Sequence, residues 1–198
     1  MFYVDNDLKT CKKTKAYFVN AGFITYYYTN PYDCLQKLNI KDCDLLITEY
    51  NLSEMDGIEL LKEAKMLLPW LPIIITSEVG NIPLAVSAIK EGAVDFHEKP
   101  LINDIFINKI RFILEKHYEN FSSVLNSLTK MEKRVFAFII QGKDNKEISA
   151  SLNRSKRTIE NHRAHLMKKL DSHNIAELLK NATQTGLINF SKQPKTSE

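Results

Sequence analysis

Short apolar runs alternate with segments of helical spacing over the first 120 residues, and this alternation restricts the possible folds more than any other feature. Five runs are typical of strands: MFYV, FITYYY, LLIT, PIIIT and VDFH, and a helix-like segment follows each. The third and fourth runs are almost uninterrupted apolar stretches, as expected for strands buried on both faces. We therefore predict an α/β fold, a flavodoxin-like doubly wound sheet of five parallel strands.

No strand pattern continues beyond residue 121, and the rest of the sequence indicates an all-α module of four short helices. Residues favoured at helix starts precede the four helices: Thr129, Asn145, Ser155 and Asn174. The predicted domain organisation is a first domain at 1–121, a linker at 122–127, a four-helix domain at 128–190 and a flexible tail at 191–198.

The two predicted domains differ in charge. Residues 1–121 carry a net charge of −4 and residues 122–198 a net charge of +7, which together give the net +3 of the chain. A basic module beside an acidic one indicates that the C-terminal part binds a polyanion. Charge alone leaves DNA, RNA and an anionic membrane surface open.

The sequence shows no sign of export or membrane insertion. Its apolar runs are far shorter than the ~18 residues that a membrane span needs, and MFYVDND enters a strand without a basic region or cleavage site. Three cysteines without a CxxC pair are typical of free thiols in a reducing compartment. We expect a cytoplasmic protein with no membrane partner.

Residues 145–152 and 155–170 form two predicted helices joined by a tight turn, a candidate helix-turn-helix. The second helix carries an apolar stripe on one face and a polar, cationic stripe on another. The apolar stripe consists of Ile159, Leu166 and Leu170, and the polar stripe of Arg157, Asn161, Ala164 and Lys168. Such a helix suits the major groove of double-stranded DNA.

The segment LTKMEKRVFAFIIQGKDNKEISASLNRSKRTIENHRAHLMKKL resembles the LuxR/NarL-type helix-turn-helix over its whole length. The resemblance implies that Glu160, Asn161 and Ala164 face base edges. It implies phosphate contacts from Lys146, Ser155, Arg157, Thr158, His162 and Lys168. It also implies that the fourth helix pairs two subunits through Ile175, Leu178, Leu179 and Ala182. Two alternatives to these phosphate contacts stay open. In one, Arg157 and Lys168 form only a solvated charged face; in the other, His162 is a packed residue.

In the first domain, polar side chains follow the ends of four predicted strands. Asp5 and Asn6 follow the first strand, Glu49 ends the third, Thr76 ends the fourth, and Lys99 follows the fifth. Carboxyl ends of parallel strands meet at one edge of a doubly wound sheet. Oxygen ligands, a hydroxyl and a lysine at one edge are the parts of a magnesium-assisted phosphoryl site.

This arrangement resembles the receiver domain of bacterial two-component response regulators, and TSEVGNIPLAVSAIKEGAVDFHEKPL is close to the FixJ-like branch. The resemblance implies a regulator of transcription, with a receiver pocket formed by Asp5, Asn6, Glu49, Asn51, Thr76, Phe96 and Lys99. It implies homodimerisation through the fourth helix and fifth strand, at Val86, Ser87, Lys90 and Phe96. A sensor kinase or another regulatory protein is the implied input partner.

Two residues depart from the receiver pattern. Glu49 stands where the phospho-accepting aspartate belongs, and Asn6 where an acidic magnesium ligand belongs. An extra methylene displaces the attacking oxygen, and a misplacement of 1 Å can cost ~100-fold in rate. We therefore expect weak or absent Mg²⁺ binding at Asp5 and a receiver that is not switched by conventional aspartyl phosphorylation. We hypothesise that Glu49, a pseudo-phosphoacceptor, pairs with Lys99 and holds Thr76 and Phe96 near an active arrangement.

Several alternatives remain open on the sequence. In one alternative the pocket is decayed and Glu49 is merely tolerated there. In another, conventional phosphorylation of the receiver persists. An interaction protein that uses its DNA module as a tether is another possibility. YVDNDLK also fits superficially the DxD opening of haloacid-dehalogenase-type phosphatases, with Asp5 as nucleophile and Asp7 as acid. That family's cap insertion and late acidic pair are absent, so we expect no enzyme and no catalytic residues.

Overall fold

The computed structural model describes the backbone of residues 1–184 and the side chains of residues 1–117 and 127–184. The chain forms two compact units. The first comprises residues 1–65 and 71–116, and the second comprises residues 66–70 together with the chain from residue 117 onward. Among the residues described, no helix is long and apolar enough to cross a membrane. The predicted tail at 191–198 lies outside the described residues.

The first unit is the predicted five-stranded sheet with alternating helices. Its strands are β1 (Phe2–Val4), β2 (Tyr26–Tyr28), β3 (Leu46–Glu49), β4 (Ile73–Ser77) and β5 (Asp95–Glu98). The helices that follow them are α1 (Leu8–Asn20), α2 (Pro31–Leu38), α3 (Gly57–Leu67), α4 (Ile82–Glu91) and α5 (Asp104–Ser127). All neighbouring strands are parallel, in the order β2-β1-β3-β4-β5. The predicted doubly wound fold is confirmed.

The central strands are buried on both faces, as their unbroken apolar sequence predicts. Every residue of β3 and of β4 is buried. In the register of this pair, Glu49 lies opposite Thr76. The two polar residues at the strand ends are therefore neighbours across the ladder, and this places the candidate site at the carboxyl edge of the sheet.

The observed helix bounds have local causes. The side chain of Asp7 accepts hydrogen bonds from the amides of Lys9 and Thr10 and so caps α1. Asn30 caps α2 in the same way, with Pro31 at the first helical position. Gly92 ends α4 at a φ of 107°, a left-handed conformation that glycine adopts without steric cost. The Lys99–Pro100 peptide is cis.

The predicted linker is helical. Residues 122–127 continue α5, which ends at Ser127. The units also differ from the predicted domains at residues 66–70, which precede β4 in the chain yet group with the second unit. There the indole ring of Trp70 stacks on the ring of Phe136, with 5.7 Å between the ring centroids.

The second unit contains the four predicted helices, α6 (Lys130–Ile140), α7 (Asn145–Leu152), α8 (Lys156–Lys169) and α9 (Ile175–Gln184). Thr129 and Glu132 form a reciprocal capping box at the start of α6. Ser155 caps α8, as predicted. The start of α7 differs by one residue, because Asp144, and not Asn145, provides the cap and forms a second capping box with Glu147.

The core of the second unit corrects part of the predicted dimer surface. Leu178 and Ala182 are 0% and 3% exposed and pack in the core of their own module. Leu179 packs against the same core. Ile175 is 41% exposed. Helical spacing alone could not tell which stripe of α9 faces the module: of the four predicted residues, Ile175 is exposed and Leu179 is half-buried, while Leu178 and Ala182 are buried.

Candidate functional sites: a receiver pocket and a DNA-binding face

The carboxyl edge of the sheet brings together the side chains predicted from the strand ends. Asp5 follows β1 and is 3% exposed, and Glu49 ends β3 and is 4% exposed. Lys99 follows β5, and its ammonium group lies between the two carboxylates. The loop after β3 passes so close to α3 that a Cβ at Gly57 would lie 2.5 Å from the carbonyl oxygen of Glu49. Glycine is therefore required at position 57 by this approach.

Lys99 is the centre of an ion cluster. Its Nζ lies 2.7 Å from Glu49 Oε2, 2.8 Å from Asp5 Oδ2 and 2.9 Å from Glu78 Oε1. The Lys99, Asp5 and Glu49 side chains are 10%, 5% and 5% exposed, whereas that of Glu78 is 71% exposed. The predicted Glu49–Lys99 contact is confirmed. Sequence analysis missed Glu78, although it directly follows β4, just as Asp5 follows β1 and Lys99 follows β5.

The surroundings of Lys99 favour its charged form. Burial by itself would lower the pKa of Lys99, but hydrogen bonds and ion pairs with Asp5, Glu49 and Glu78 outweigh burial and raise it above its ordinary value. The ammonium group is therefore a fixed positive charge beside two buried carboxylates at neutral pH.

Both oxygens of the Glu49 carboxylate are engaged. Oε1 accepts a hydrogen bond from the backbone amide of Asn51 at 3.1 Å. The contact between Oε2 and Lys99 is an ion pair at 2.7 Å that lacks the angles of a hydrogen bond. The extra methylene of glutamate lets one carboxylate span the distance from its own loop to the lysine.

Asp5 is saturated by protein groups. Its Oδ1 accepts from the Asp7 amide at 2.9 Å, and its Oδ2 accepts from the Tyr3 hydroxyl at 2.6 Å as well as from Lys99. Burial, followed by the hydrogen bond to Asp5, raises the pKa of the Tyr3 hydroxyl, which is therefore a proton donor at neutral pH. Sequence analysis missed Tyr3, although a tyrosine in an otherwise apolar strand is a signal that its hydroxyl has a buried partner.

Asn6 joins the first strand end to the loop after β3. Its side-chain nitrogen donates to the carbonyl of Asn51 at 2.7 Å, and its oxygen accepts from the amide of Ser53 at 3.0 Å. If the Asn6 side-chain amide were flipped, its nitrogen would face the Ser53 amide and its oxygen would face the Asn51 carbonyl. The two partners therefore determine which atom is nitrogen.

The donor set does not fit Mg²⁺. The magnesium ion binds oxygen ligands in a strict octahedron, but here an amide nitrogen of Asn6 faces the Asn51 carbonyl, and an ammonium group occupies the space between the carboxylates of Asp5 and Glu49. Among the residues that the structure describes, no group of three acidic, histidine or cysteine side chains could hold a metal ion. The expectation of weak or absent Mg²⁺ binding at Asp5 stays a prediction.

Thr76 lies opposite Glu49 across the ladder, but its hydroxyl is buried and donates to the backbone carbonyl of Thr48 at 3.2 Å. Among the described groups, no hydrogen bond joins the side chains of Thr76 and Glu49. Phe96 is half-buried on β5. The hypothesis that Glu49 holds these two residues near an active arrangement therefore has no direct contact to support it.

The second candidate site is the outer face of α8. Ile159 and Leu166 are buried, while the side chains predicted to face DNA lie on the opposite surface. Seven of the predicted residues are exposed, either on that surface or at its margins on α7 and at the start of α8. They are Arg157, Glu160, Asn161, Ala164, Lys168, Lys146 and Ser155. Thr158 and His162 are half-buried. The face is polar, and three of its four charged side chains are cationic, which suits a groove-reading helix.

Two polar contacts that the sequence did not reveal set the position of α8. Arg163 donates to the side-chain oxygen of Asn145 at 2.5 Å and so joins α8 to α7. Burial lowers the pKa of the Arg163 guanidinium, which nevertheless stays charged. Lys169 contacts the buried carboxylate of Glu132 at 2.7 Å and so joins α8 to the cap of α6. Arg163 in the middle of α8 and Lys169 at its end therefore join this helix to its neighbours in the module.

Comparisons with known families match both units. Residues 1–111 match the family described as "Response regulator receiver domain", and residues 126–182 match "Bacterial regulatory proteins, luxR family". The receiver match covers more than half of the chain, so the first unit is a receiver and not a haloacid-dehalogenase-type phosphatase. Asp7, the acid in that alternative, caps α1.

Similar proteins share this organisation along nearly their whole length. The chain is 30% identical to "Transcriptional regulatory protein FixJ" of Bradyrhizobium diazoefficiens, over 96% of this chain and 97% of that protein. It is 29% identical to "Response regulator protein TodT" of Pseudomonas putida, over 91% of this chain and 83% of that protein. Among solved structures, full-length FixJ from B. japonicum is 29% identical over 95% of this chain and 97% of that one, with a TM-score of 0.55.

Proposed function

The chain belongs to the family of bacterial response regulators that carry a receiver domain and a LuxR-type DNA-binding domain, and from this membership we propose a DNA-binding transcriptional regulator whose receiver works without conventional aspartyl phosphorylation. Its partners in this proposal are double-stranded DNA, a second copy of the chain, and a regulatory protein as input. A sensor kinase that phosphorylates Glu49 is not part of the proposal.

The Lys99 ion cluster is the observation that carries this proposal. In a phosphorylated receiver, a lysine at this position is available to a phosphoryl group. Here the Lys99 ammonium is already within 2.8 Å of both Glu49 and Asp5. Phosphoryl transfer to Glu49 would have to break this pair and also release Oε1 from the Asn51 amide. Separating a buried pair leaves uncompensated charge and costs about 3–5 kcal/mol.

The proposed output is dimeric DNA binding through α8. Arg157 and Lys168 are exposed on its outer face and can neutralise DNA phosphates, and the exposed side chains of Asn161 and Glu160 are proposed to contact base edges. Two surfaces are proposed for dimerisation. Val86 and Lys90 are exposed on α4, and Ile175 is exposed on α9. Leu178 and Ala182 are omitted because the module's own core contains them.

The test exposes the full-length chain to acetyl phosphate, and separately to beryllofluoride, each with Mg²⁺. A matched Asn6→Asp/Glu49→Asp variant restores the acidic residues of the receiver pattern. We expect no acyl phosphate by intact-mass spectrometry and no change in oligomeric state by light scattering for the natural chain. The double variant is expected to form an acyl phosphate and to change its oligomeric state. Phosphorylation of Glu49, or beryllofluoride-dependent dimerisation of the natural chain, would refute the proposal.

A second pair of variants separates an ion-pair lock from a decayed pocket. Glu49→Ala removes the carboxylate that binds Lys99, and Glu78→Gln removes only the exposed carboxylate of the cluster. If the cluster sets the receiver's state, Glu49→Ala changes DNA affinity and Glu78→Gln does not. Unchanged DNA affinity in Glu49→Ala would show that the pocket is decayed.

A further inference from the structure

The two edges of the receiver sheet differ in chemistry. The β5 edge carries Asp95 and Glu98, and Asp95 pairs with Lys109 at 2.6 Å. The β2 edge consists of three tyrosines, Tyr26–Tyr28, with no charge and no proline. Charges and prolines on edge strands prevent pairing with other chains. Apart from its short length, β2 has neither of these protections.

The backbone of Tyr27 faces the open side of this edge. The Tyr26 amide donates to the carbonyl of Met1 at 3.1 Å, and the Tyr28 carbonyl accepts from the Asp5 amide at 3.2 Å. Both neighbours of Tyr27 therefore direct their backbone groups toward β1. In a parallel ladder these groups alternate in direction along the strand, so the amide and carbonyl of Tyr27 point away from the sheet.

An open cleft of about 440 Å³ runs along this edge, lined by Lys15, Tyr26, Tyr27, Tyr28, Lys37, Ile40 and Lys41. Its lysines lie on both sides of the strand. Lys15 on α1 lies over the Tyr27 ring, with Nζ 5.6 Å from the ring centroid. Lys41, just after α2, lies over the Tyr26 ring at 3.2 Å. Adjacent residues of a strand point to opposite faces, so the two lysines flank the edge from opposite faces.

The cleft is positively charged. No carboxylate lines it, and across the side chains that the structure describes neither Lys15, Lys37 nor Lys41 forms an ion pair. Other lysines of the same unit do, as Lys62 pairs with Glu91 and Lys109 with Asp95. A basic residue in the last turn of α2 stabilises that helix, which accounts for Lys37 but not for Lys15 on α1.

We propose that the β2 edge binds an extended acidic segment of a partner protein by strand addition. Main-chain hydrogen bonds to Tyr27 hold the added strand, and its alternating side chains reach Lys15 on one face and Lys37 and Lys41 on the other. An open cleft along a strand edge suits an extended chain better than a small ligand, which binds in pockets that bury most of its surface. This proposal is independent of the phosphorylation state of the receiver.

The probe is a fluorescein-labelled peptide, Glu-Glu-Val-Thr-Val-Glu-Glu, with acidic residues for both faces and a β-branched centre. Its controls are the same peptide N-methylated at alternate backbone amides and a version with lysine for each glutamate. We expect saturable binding of the acidic probe to the full-length chain by fluorescence anisotropy and no binding of either control peptide. Hydrogen exchange is expected to slow at residues 23–30 and not at the β5 edge.

Charge-reversal variants locate the site. Lys37→Glu/Lys41→Glu is expected to weaken binding of the probe about tenfold, because two attractive contacts are lost and become repulsive. Lys62→Glu, an exposed lysine on α3, is the matched control and should change affinity less than about twofold. Circular dichroism checks that each variant is folded.

Each alternative occupant gives a distinct result that overturns the proposal. Equal binding of the N-methylated peptide, or protection confined to α8, means that the probe is attracted by charge alone. Saturable binding of ATP in the cleft without peptide binding identifies a phosphorylated small molecule. Self-association that Lys37→Glu/Lys41→Glu abolishes, without peptide binding, identifies a second copy of this chain.

Discussion

Lys99 shows how one side chain can satisfy a pocket that resembles a cation site. Its single positive charge is shared by two carboxylates that are almost fully buried, Asp5 and Glu49. Isolated charges are very costly to bury, so such groups are found paired. The protein therefore contains its own cation at this point. Glu49, in place of the aspartate of the receiver pattern, pairs with Lys99. Asn6, in place of an acidic residue, hydrogen-bonds to the carbonyl of Asn51. Both departures from the pattern therefore have partners within the protein.

At this scale we predict the effect of removing the charge. Lys99→Met leaves two neighbouring buried carboxylates without a cationic partner and should lower the free energy of unfolding by about 3–5 kcal/mol at pH 7. Glu78→Gln removes an exposed contact and should change it by less than about 0.5 kcal/mol. Urea unfolding followed by circular dichroism measures both. A loss below about 1 kcal/mol for Lys99→Met would contradict the importance of the pair.

At the scale of helices and strands, α8, the proposed recognition helix, is joined to the other helices of its module by polar contacts. Glu132 belongs to the capping box of α6 and also binds Lys169 at the end of α8. Burial opposes the charge of Glu132, but hydrogen bonds from Lys169 and Thr129 outweigh it and lower the pKa of this carboxyl. One carboxylate thus connects two helices and caps one of them.

This lowered pKa predicts a pH dependence. A depressed folded-state pKa adds stability that is fully present above the ordinary glutamate pKa of about 4.3 and is lost as the pH falls through the folded value. Glu132→Gln should therefore melt at a lower temperature than the natural chain at pH 7, and the gap should narrow below about pH 5. Thermal melting between pH 7 and pH 3.5 tests this. A gap that stays constant with pH would show that Glu132 acts without its charge.

At the scale of the whole molecule, the different charges of the two units are consistent with the proposed function. The acidic receiver carries regulation, and the basic module carries the DNA-binding face of α8. DNA binding that neutralises phosphates releases condensed counterions, so affinity must fall steeply with salt. In the proposed function this salt-dependent attraction is combined with base contacts and with the reading of DNA shape, which provide specificity.

A variant of the DNA-binding face tests this electrostatic component. Arg157→Ala should weaken binding to a selected DNA duplex and reduce the slope of log affinity against log salt by about 1, because one phosphate contact is lost. Lys62→Ala removes the same charge from the receiver and should leave the slope unchanged. Titrations at several salt concentrations measure both slopes. Equal slopes for Arg157→Ala and the natural chain would exclude a phosphate contact by Arg157.

Local patterns in the sequence were sufficient for the two-domain organisation, the strand order, the helix starts at Thr129 and Ser155, and the Glu49–Lys99 pair. Strand burial, capping and the meeting of strand ends at one edge depend on near neighbours or on general rules of parallel sheets, so a single sequence contains them. The tertiary structure decided the third carboxylate on Lys99, the bridge formed by Asn6, the burial of Leu178 and the open edge of β2. Each of these depends on which distant side chains packing brings together, and no periodicity along the chain contains that information.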